Sequence, residues 1–209
     1  MREESVAVIG RVTGIVLAAG TSSRLGQPKQ LLDFEGRPLL QHAIDAMEES
    51  GLYDVVLVLG HRAQEIAEAV QTGPGTRTVV NDDYEQGQAT SLRTGLAAAD
   101  ERSDAAVVIL GDQPAIDGLM VRTIVETYLG TGSKVVQASF GGKPNHPTLF
   151  DRELWPELQA IEGDQGAREV LKKHPEWILR VEFGRELPSD LDTWEDYERL
   201  TGRPRDAAK

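Results

Sequence analysis

The sequence predicts an α/β fold with a mostly parallel central sheet. Short runs of branched apolar residues recur along the chain, as in Ile15-Val16-Leu17, Val55 to Leu59, Val79-Val80 and Ala105 to Leu110. Such runs lack polar alternation, which marks strands covered on both faces. The segments between them place apolar residues three and four apart, the period of the helices that supply the cover. Polar or small-residue turns follow the strands, at the edge where open α/β sheets bind ligands.

Residues 1–13 are an entry segment, in which Val6 to Gly10 either pair as an edge strand or stay loose. The strand at 15–17 opens into a loop that runs to Lys29. Pro38 suits the first turn of a helix, with Leu39, Leu40, Ala43, Ile44 and Met47 on one face and Gly51 at its C-cap. A strand over 53–59 and a helix over 62–71 follow, then a loop at Gly73-Pro74-Gly75. A short strand at 77–80 leads through the polar loop 81–87 into a helix from Gln88 to about Ala99. The clearest central strand is 105–110. Asp117 is placed to cap the next helix, which Gly130 closes. Beyond it come a strand at 134–140, helices at 154–161 and through Val170-Leu171, and a strand at 177–183. Asp192 or Thr193 caps a last helix, and the tail from Gly202 frays. The prediction is one domain over 14–201 between the entry segment and a tail at 202–209.

The stretch Gly14 to Lys29, GIVLAAGTSSRLGQPK, organises the rest. After the strand, Ala18 to Ser23 are all small. Small residues let backbone N–H groups approach a ligand, and consecutive N–H groups make a concave anion site. Arg24 and Lys29 add two fixed positive charges to the same loop. Such a loop suits a polyphosphate. It is not a Walker A loop, because five residues separate Gly20 from Gly26 and Lys29 lies three beyond. The Rossmann G-x-G-x-x-G is also absent.

At Gly111-Asp112-Gln113-Pro114 a carboxylate sits where a strand leaves the sheet. Mg²⁺ takes hard oxygen ligands, so Asp112 is the first candidate metal ligand. Asn81 offers a donor and an acceptor to a base edge, and Gly87 admits close backbone approach.

Composition narrows the function. There are 34 acidic residues against 22 basic ones, a net charge of −12 that argues against general nucleic-acid binding. No apolar stretch is long enough to span a membrane. The absence of cysteine excludes thiolate metal sites and cysteine nucleophiles. The residues MREESVAVIG are acidic where a secretory signal would be basic, so a cytoplasmic location is expected.

The loop LAAGTSSRLGQPK resembles the signature L-A-[AG]-G-x-S-x-R-[ML]-G-x-x-K of MobA-like nucleotidyltransferases, matching at Leu17, Ala18, Ala19, Gly20, Ser22, Arg24, Leu25, Gly26 and Lys29. Within that family the chain is most similar to molybdenum cofactor cytidylyltransferases. Further matches lie at Asn81, Gly87, Ser91 and Gly95, at Gly111-Asp112-Gln113-Pro114, at Gly163 to Arg168, and at Asp192-Thr193. Two positions depart from the family pattern, Asn145 for glycine and Trp194 for proline.

The resemblance implies a Rossmann-like three-layer fold of the nucleotide-diphospho-sugar transferase type and Mg²⁺-dependent nucleotidyl transfer. It implies Arg24 and Lys29 as catalytic, and Leu17, Ala18, Ala19, Gly20, Asn81, Gly87 and Ser91 as nucleotide-binding. Asp112 and Asp192 would hold the metal. His146 and Arg168 would face the acceptor; a structural bond for the one and a surface salt bridge for the other are the alternatives. CTP and molybdopterin cofactor are the implied substrates, with a molybdoenzyme or its chaperone as a partner. The methyl of Ala19, where a guanylyl-transferring branch has glycine, favours a pyrimidine. Two rivals stay open: a related transferase with another base or acceptor, and a non-catalytic cofactor-binding chaperone.

Overall fold

A computed structural model describes residues 10–163, 166–184 and 190–204. Seven strands form the main sheet: β1 (Val12–Leu17), β4 (Asp54–Leu59), β5 (Thr76–Val80), β6 (Ala105–Leu110), β7 (Val135–Phe140), β8 (Lys143–Asp151) and β9 (Ile178–Glu182). A small hairpin, β2 (Asp33–Phe34) and β3 (Arg37–Pro38), stands apart. The sheet order is β5-β4-β1-β6-β8-β7-β9. β1 pairs in parallel with both β4 and β6, so the chain winds outward on one side and then crosses back over β1. The crevice at such a reversal is where α/β sheets hold ligands. Only β8 runs against the others, antiparallel to β6 and to β7.

Helices cover both faces, giving the three layers that the strand pattern predicts. Helices α1 (Leu39–Glu49) and α4 (Gly118–Thr131) pack on the face that carries Val12 and Val16, with Leu40, Ile44, Val121 and Ile124 in that core. Helices α3 (Gln88–Ala98), α5 (Trp155–Gln159) and α6 (Arg168–Lys173) bury the other face, where Ile15 meets Leu92, Leu96, Leu158 and Val170. Helix α2 (Ala63–Ala69) adds Ile66 to the first core. A third cluster joins Leu25, Leu32 and Leu39 to Leu191 and to Tyr197 of α7 (Trp194–Thr201). It anchors the end of the described chain to the loop after β1.

Helix α3 lies very close to the sheet. A Cβ on Gly95 would stand 2.6 Å from Ile15 Cγ2 and 3.2 Å from Val58 Cγ2. Both are branched core side chains with little room to yield. Gly95→Ala is therefore expected to destabilise the protein by about 1–3 kcal/mol. A urea midpoint equal to that of the parent protein would show that α3 lifts away freely.

Several boundaries differ from those predicted. β1 begins at Val12, inside the stretch read as an entry segment, while Val6 to Ile9 lie outside the described residues. Helix α4 runs through Gly130, and the residue that ends it is Gly132, in the left-handed region at φ +63°. Asp117 caps α4 as expected, accepting from the Met120 N–H at 2.9 Å. α5 is shorter than predicted and follows a 3₁₀ turn at Arg152–Leu154. At the start of the tail Arg203 donates to Asp33 Oδ1 at 2.6 Å, so the chain is tied there; residues 205–209 lie outside the described set. Among the described residues no helix is long and apolar enough to cross a membrane.

Candidate active site

The loop after β1 is wrapped around one side chain. Gln30 is buried, and its Nε2 donates to the Ala18 carbonyl at 2.8 Å and to the Gly20 carbonyl at 3.2 Å. Ser22 takes a left-handed conformation at φ +52°, and its Oγ accepts from the Lys29 N–H at 3.0 Å. These bonds draw the two ends of the loop together. Sequence reasoning did not single out Gln30, whose only signal was its place beside Lys29.

Lys29 is the centre of the charge pattern. Its ammonium bonds Asp112, at the exit of β6, and Asp192 Oδ1 at 3.0 Å. Arg24 Nη1 reaches Asp192 Oδ2 at 3.5 Å from the rim. The Lys29 and Asp112 side chains are largely buried, whereas those of Arg24 and Asp192 are mostly exposed. Burial alone would lower the Lys29 pKa, but Asp112 and then Asp192 outweigh it and hold the ammonium above the ordinary lysine value. Burial pushes the Asp112 carboxyl up, and Lys29 holds it back. The site thus keeps a desolvated carboxylate beside a fixed cation.

Asp112 Oδ1 is buried and has no hydrogen-bond partner among the described residues. A vacant hard-oxygen donor of this kind fits a divalent cation. Among the described residues no group of three or more His, Asp or Glu gathers to hold a metal. An ion on Asp112 and Asp192 would therefore take its remaining ligands from triphosphate oxygens and water, the habit of Mg²⁺. Asp192 is free for this because it is not the helix cap. Thr193 caps α7, accepting from the Asp196 N–H at 3.2 Å, while the Asp196 carboxylate accepts from the Thr193 N–H at 2.9 Å. Thr193→Ala is expected to cost about 1 kcal/mol by this lost cap. It should also slow any reaction that needs Asp192, and an unchanged melting temperature would count against the cap.

A cleft of about 400 Å³ opens over this floor. Leu17, Ala18, Ala19, Gly20, Gly87 and Ser91 line it, together with Tyr84 and Gln88. Asn81 does not line it. Its Nδ2 donates to Thr90 Oγ1 at 2.8 Å and to Ser91 Oγ at 3.0 Å, and its Oδ1 accepts from the Asp83 N–H at 3.0 Å. Those bonds turn the side chain inward to brace the loop that carries Tyr84 and Gly87. Ala19 is only 4% exposed. Its methyl lies so close to Gly60 that a Cβ there would sit 2.8 Å from it and 2.8 Å from Tyr84 Cβ.

A second cavity of about 130 Å³ continues from the first, sharing Leu17, Gln88 and Leu110. His146 and Arg168 both line it. β8 runs against its neighbours, so its first half, not its end, reaches the ligand edge of the sheet, with His146 Nδ1 3.0 Å from the Val108 carbonyl. Gln113 and Asp190 complete the wall, and sequence reasoning missed both.

The sequence model described as the MobA-like NTP transferase domain matches residues 14–177. The chain belongs to this family. It is 34% identical over 197 residues to the nicotine blue oxidoreductase of Paenarthrobacter nicotinovorans, covering 90% of this chain and 96% of that one. It is 30% identical to the purine catabolism protein PucB of Bacillus subtilis, over 90% and 94% of the two chains. Among solved structures, Rv0371c from Mycobacterium tuberculosis H37Rv superposes with a TM-score of 0.84 at 34% identity, covering 93% of this chain and 98% of that one. A manganese complex of Rv0371c gives 0.79 at 31% identity, covering 92% and 98%. The two cavities adjoin through Leu17, Gln88 and Leu110, so two reactants held in them would lie side by side, as group transfer needs.

Proposed function

We propose that this transferase moves CMP from CTP to the terminal phosphate of molybdopterin cofactor, releasing pyrophosphate and forming the cytosine dinucleotide cofactor, as a single domain over 14–201 in the cytoplasm. The observation that carries the proposal is the convergence of Lys29, Asp112 and Asp192, from three distant stretches, beneath a nucleotide-sized cleft. An oxygen of the acceptor phosphate attacks the α-phosphorus of CTP. That bond forms as the bond from the α-phosphorus to the bridging oxygen breaks, and pyrophosphate leaves. The phosphate is ionised at neutral pH, so no protein base is needed. The work is positioning and charge neutralisation. Lys29 and Arg24 bind the β- and γ-phosphates and the leaving pyrophosphate. Gly87 and Ser91 line the nucleoside end, and Asn81 braces their loop. Asp112 and Asp192 would hold a divalent cation, Mg²⁺ in the cell, which would supply further neutralisation of the triphosphate charge. The manganese complex of the related Rv0371c supports such an ion. Arg168 and His146 receive the acceptor, and the product passes to a molybdoenzyme or its chaperone.

The test is pyrophosphate release with Mg²⁺, molybdopterin cofactor and each NTP in turn, for the parent protein and Asp112→Ala. Release with CTP that vanishes in the variant is the expected result. Preference for GTP would sink the cytidylyl reading, and tight CTP binding without release would sink the enzyme reading. The name of the P. nicotinovorans relative supplies a second reading, an oxidoreductase that acts on nicotine blue. Consumption of NADH or NADPH in the presence of nicotine blue, without CTP, would favour it.

A further inference from the structure

Gly60 stands where two walls of the first cavity meet. It follows β4 directly, is buried, and does not itself line the cavity, whereas Ala19 and Tyr84 do. Its backbone lies outside the left-handed region, so conformation does not demand glycine here. Space does. A Cβ on Gly60 would stand 2.8 Å from Ala19 Cβ, 2.8 Å from Tyr84 Cβ and 3.0 Å from the Ala19 carbonyl oxygen. These atoms are backbone or the root of a side chain, so no change of rotamer relieves them. The sheet order gives the direction of relief, because β4 lies between β1 and β5. The Ala18 N–H bonds the Val58 carbonyl at 2.9 Å on one side, and the Asn81 N–H bonds the Leu59 carbonyl at 2.8 Å on the other. Ala19 leaves from β1 and Tyr84 from the loop after β5, so an atom added to Gly60 comes between their strands and drives them apart. His61 completes the corner. Its N–H bonds the Ala19 carbonyl at 3.3 Å, and its ring meets the Tyr84 ring edge-on, with centroids 5.9 Å apart and planes at 60°.

We propose that Gly60 is a positioning residue: by lacking a side chain it lets Ala19 and Tyr84 close on each other, with His61 against the Tyr84 ring, and so sets the size of base that the first cavity takes. The proposal rests on the reading of that cavity as the nucleotide's. Gly60 acts only through its two neighbours. A methyl added to it widens the gap between Ala19 and Tyr84, which admits a purine more readily and leaves a pyrimidine short of contacts. The phosphate end is held separately, since Arg24 and Lys29 pair with Asp192 and Asp112.

The test is calorimetry with CTP, GTP and pyrophosphate, each with Mg²⁺, on the parent protein, Gly60→Ala and His61→Ala. CTP and GTP carry the same triphosphate, so the ratio of their affinities isolates the base. In Gly60→Ala that ratio is expected to move at least about fivefold toward GTP, less than one whole carbon is worth in a well-fitted pocket, while pyrophosphate affinity stays within about twofold. His61→Ala leaves the backbone in place and removes only the ring contact with Tyr84, so it should move the ratio the same way by about twofold. It decides the matter if Gly60→Ala does not fold. A ratio that stays put, a ratio that moves toward CTP, or no binding of either nucleotide to the parent protein would each overturn the proposal. So would a pyrophosphate affinity that falls as far as that of CTP, which would make Gly60 a structural residue only. The shift is read against the parent protein's own ratio. It can therefore appear even where that protein prefers GTP and the cytidylyl reading falls, and be missing where CMP transfer to molybdopterin cofactor succeeds.

Discussion

Asp112→Asn is expected to lower pyrophosphate release by about a thousandfold, the upper range for removing one preorganised charge-stabilising group, and to leave the melting temperature unchanged or raised. The two effects have one cause. Asp112 is a buried carboxylate whose Oδ1 has no partner among the described residues, so its charge is costly in the free protein. Removing one member of a buried ion pair normally destabilises by orphaning the other. Here Lys29 keeps Asp192 at 3.0 Å, so the ammonium is not stranded. A carboxylate held against its own desolvation, with little structural return, is one kept for binding. Activity within tenfold of the parent protein would remove Asp112 from the metal site. A large fall in melting temperature would make it structural.

Lys29→Met is expected to slow the reaction by about a hundredfold and to strengthen the binding of Mn²⁺ to the nucleotide-free protein. The second effect has the less obvious sign. The Lys29 ammonium bonds both candidate metal carboxylates and so competes with a cation for them. Without it, Asp112 and Asp192 repel each other, and a divalent ion relieves that repulsion. At the effective dielectric of a partly buried site the relief is worth about tenfold in affinity or more. Titration of free Mn²⁺ by electron paramagnetic resonance measures it. Weaker Mn²⁺ binding in Lys29→Met would mean that the two carboxylates are not its site.

The layer architecture was legible because parallel strands must be apolar on both faces and their covering helices must have a stripe. Val12, Val16 and Ile15 divide between the two cores as that pattern requires. The loop after β1 was legible as well, since small residues and flanking charges are local features. Less legible was anything decided by partners far along the chain. The reversed direction of β8 depends on pairing with β6 and β7, which no local pattern encodes. Gly130 and Gly132 look alike in sequence, but it is Gly132 that takes the left-handed conformation and bonds its N–H to the Tyr128 carbonyl. Asn81 has the chemistry of a base reader, but Thr90 and Ser91 claim its donors. The same adjacency that made Asp192 and Thr193 rival caps became a division of labour. The hydroxyl caps the helix, and the carboxylate faces Lys29.

The order of the strands also bears on how such chains diverge. Apart from Asp192, the first cavity and the charges at its floor are assembled from the first half of the chain, β1 through the exit of β6. Apart from the three shared residues, Leu92 and Val108, the second cavity is lined by residues that follow it, from Gln113 through β8 to Asp190. The reversed strand lets that later half be rewritten from its exposed start at Lys143 without disturbing the pairing of Ala105 to Val108 with Thr148 to Asp151. Inheritance can therefore act on the two halves separately. A lineage could keep one nucleotide-handling half and exchange its customers, and a chimera joined near Gln113 would be the laboratory version of that history.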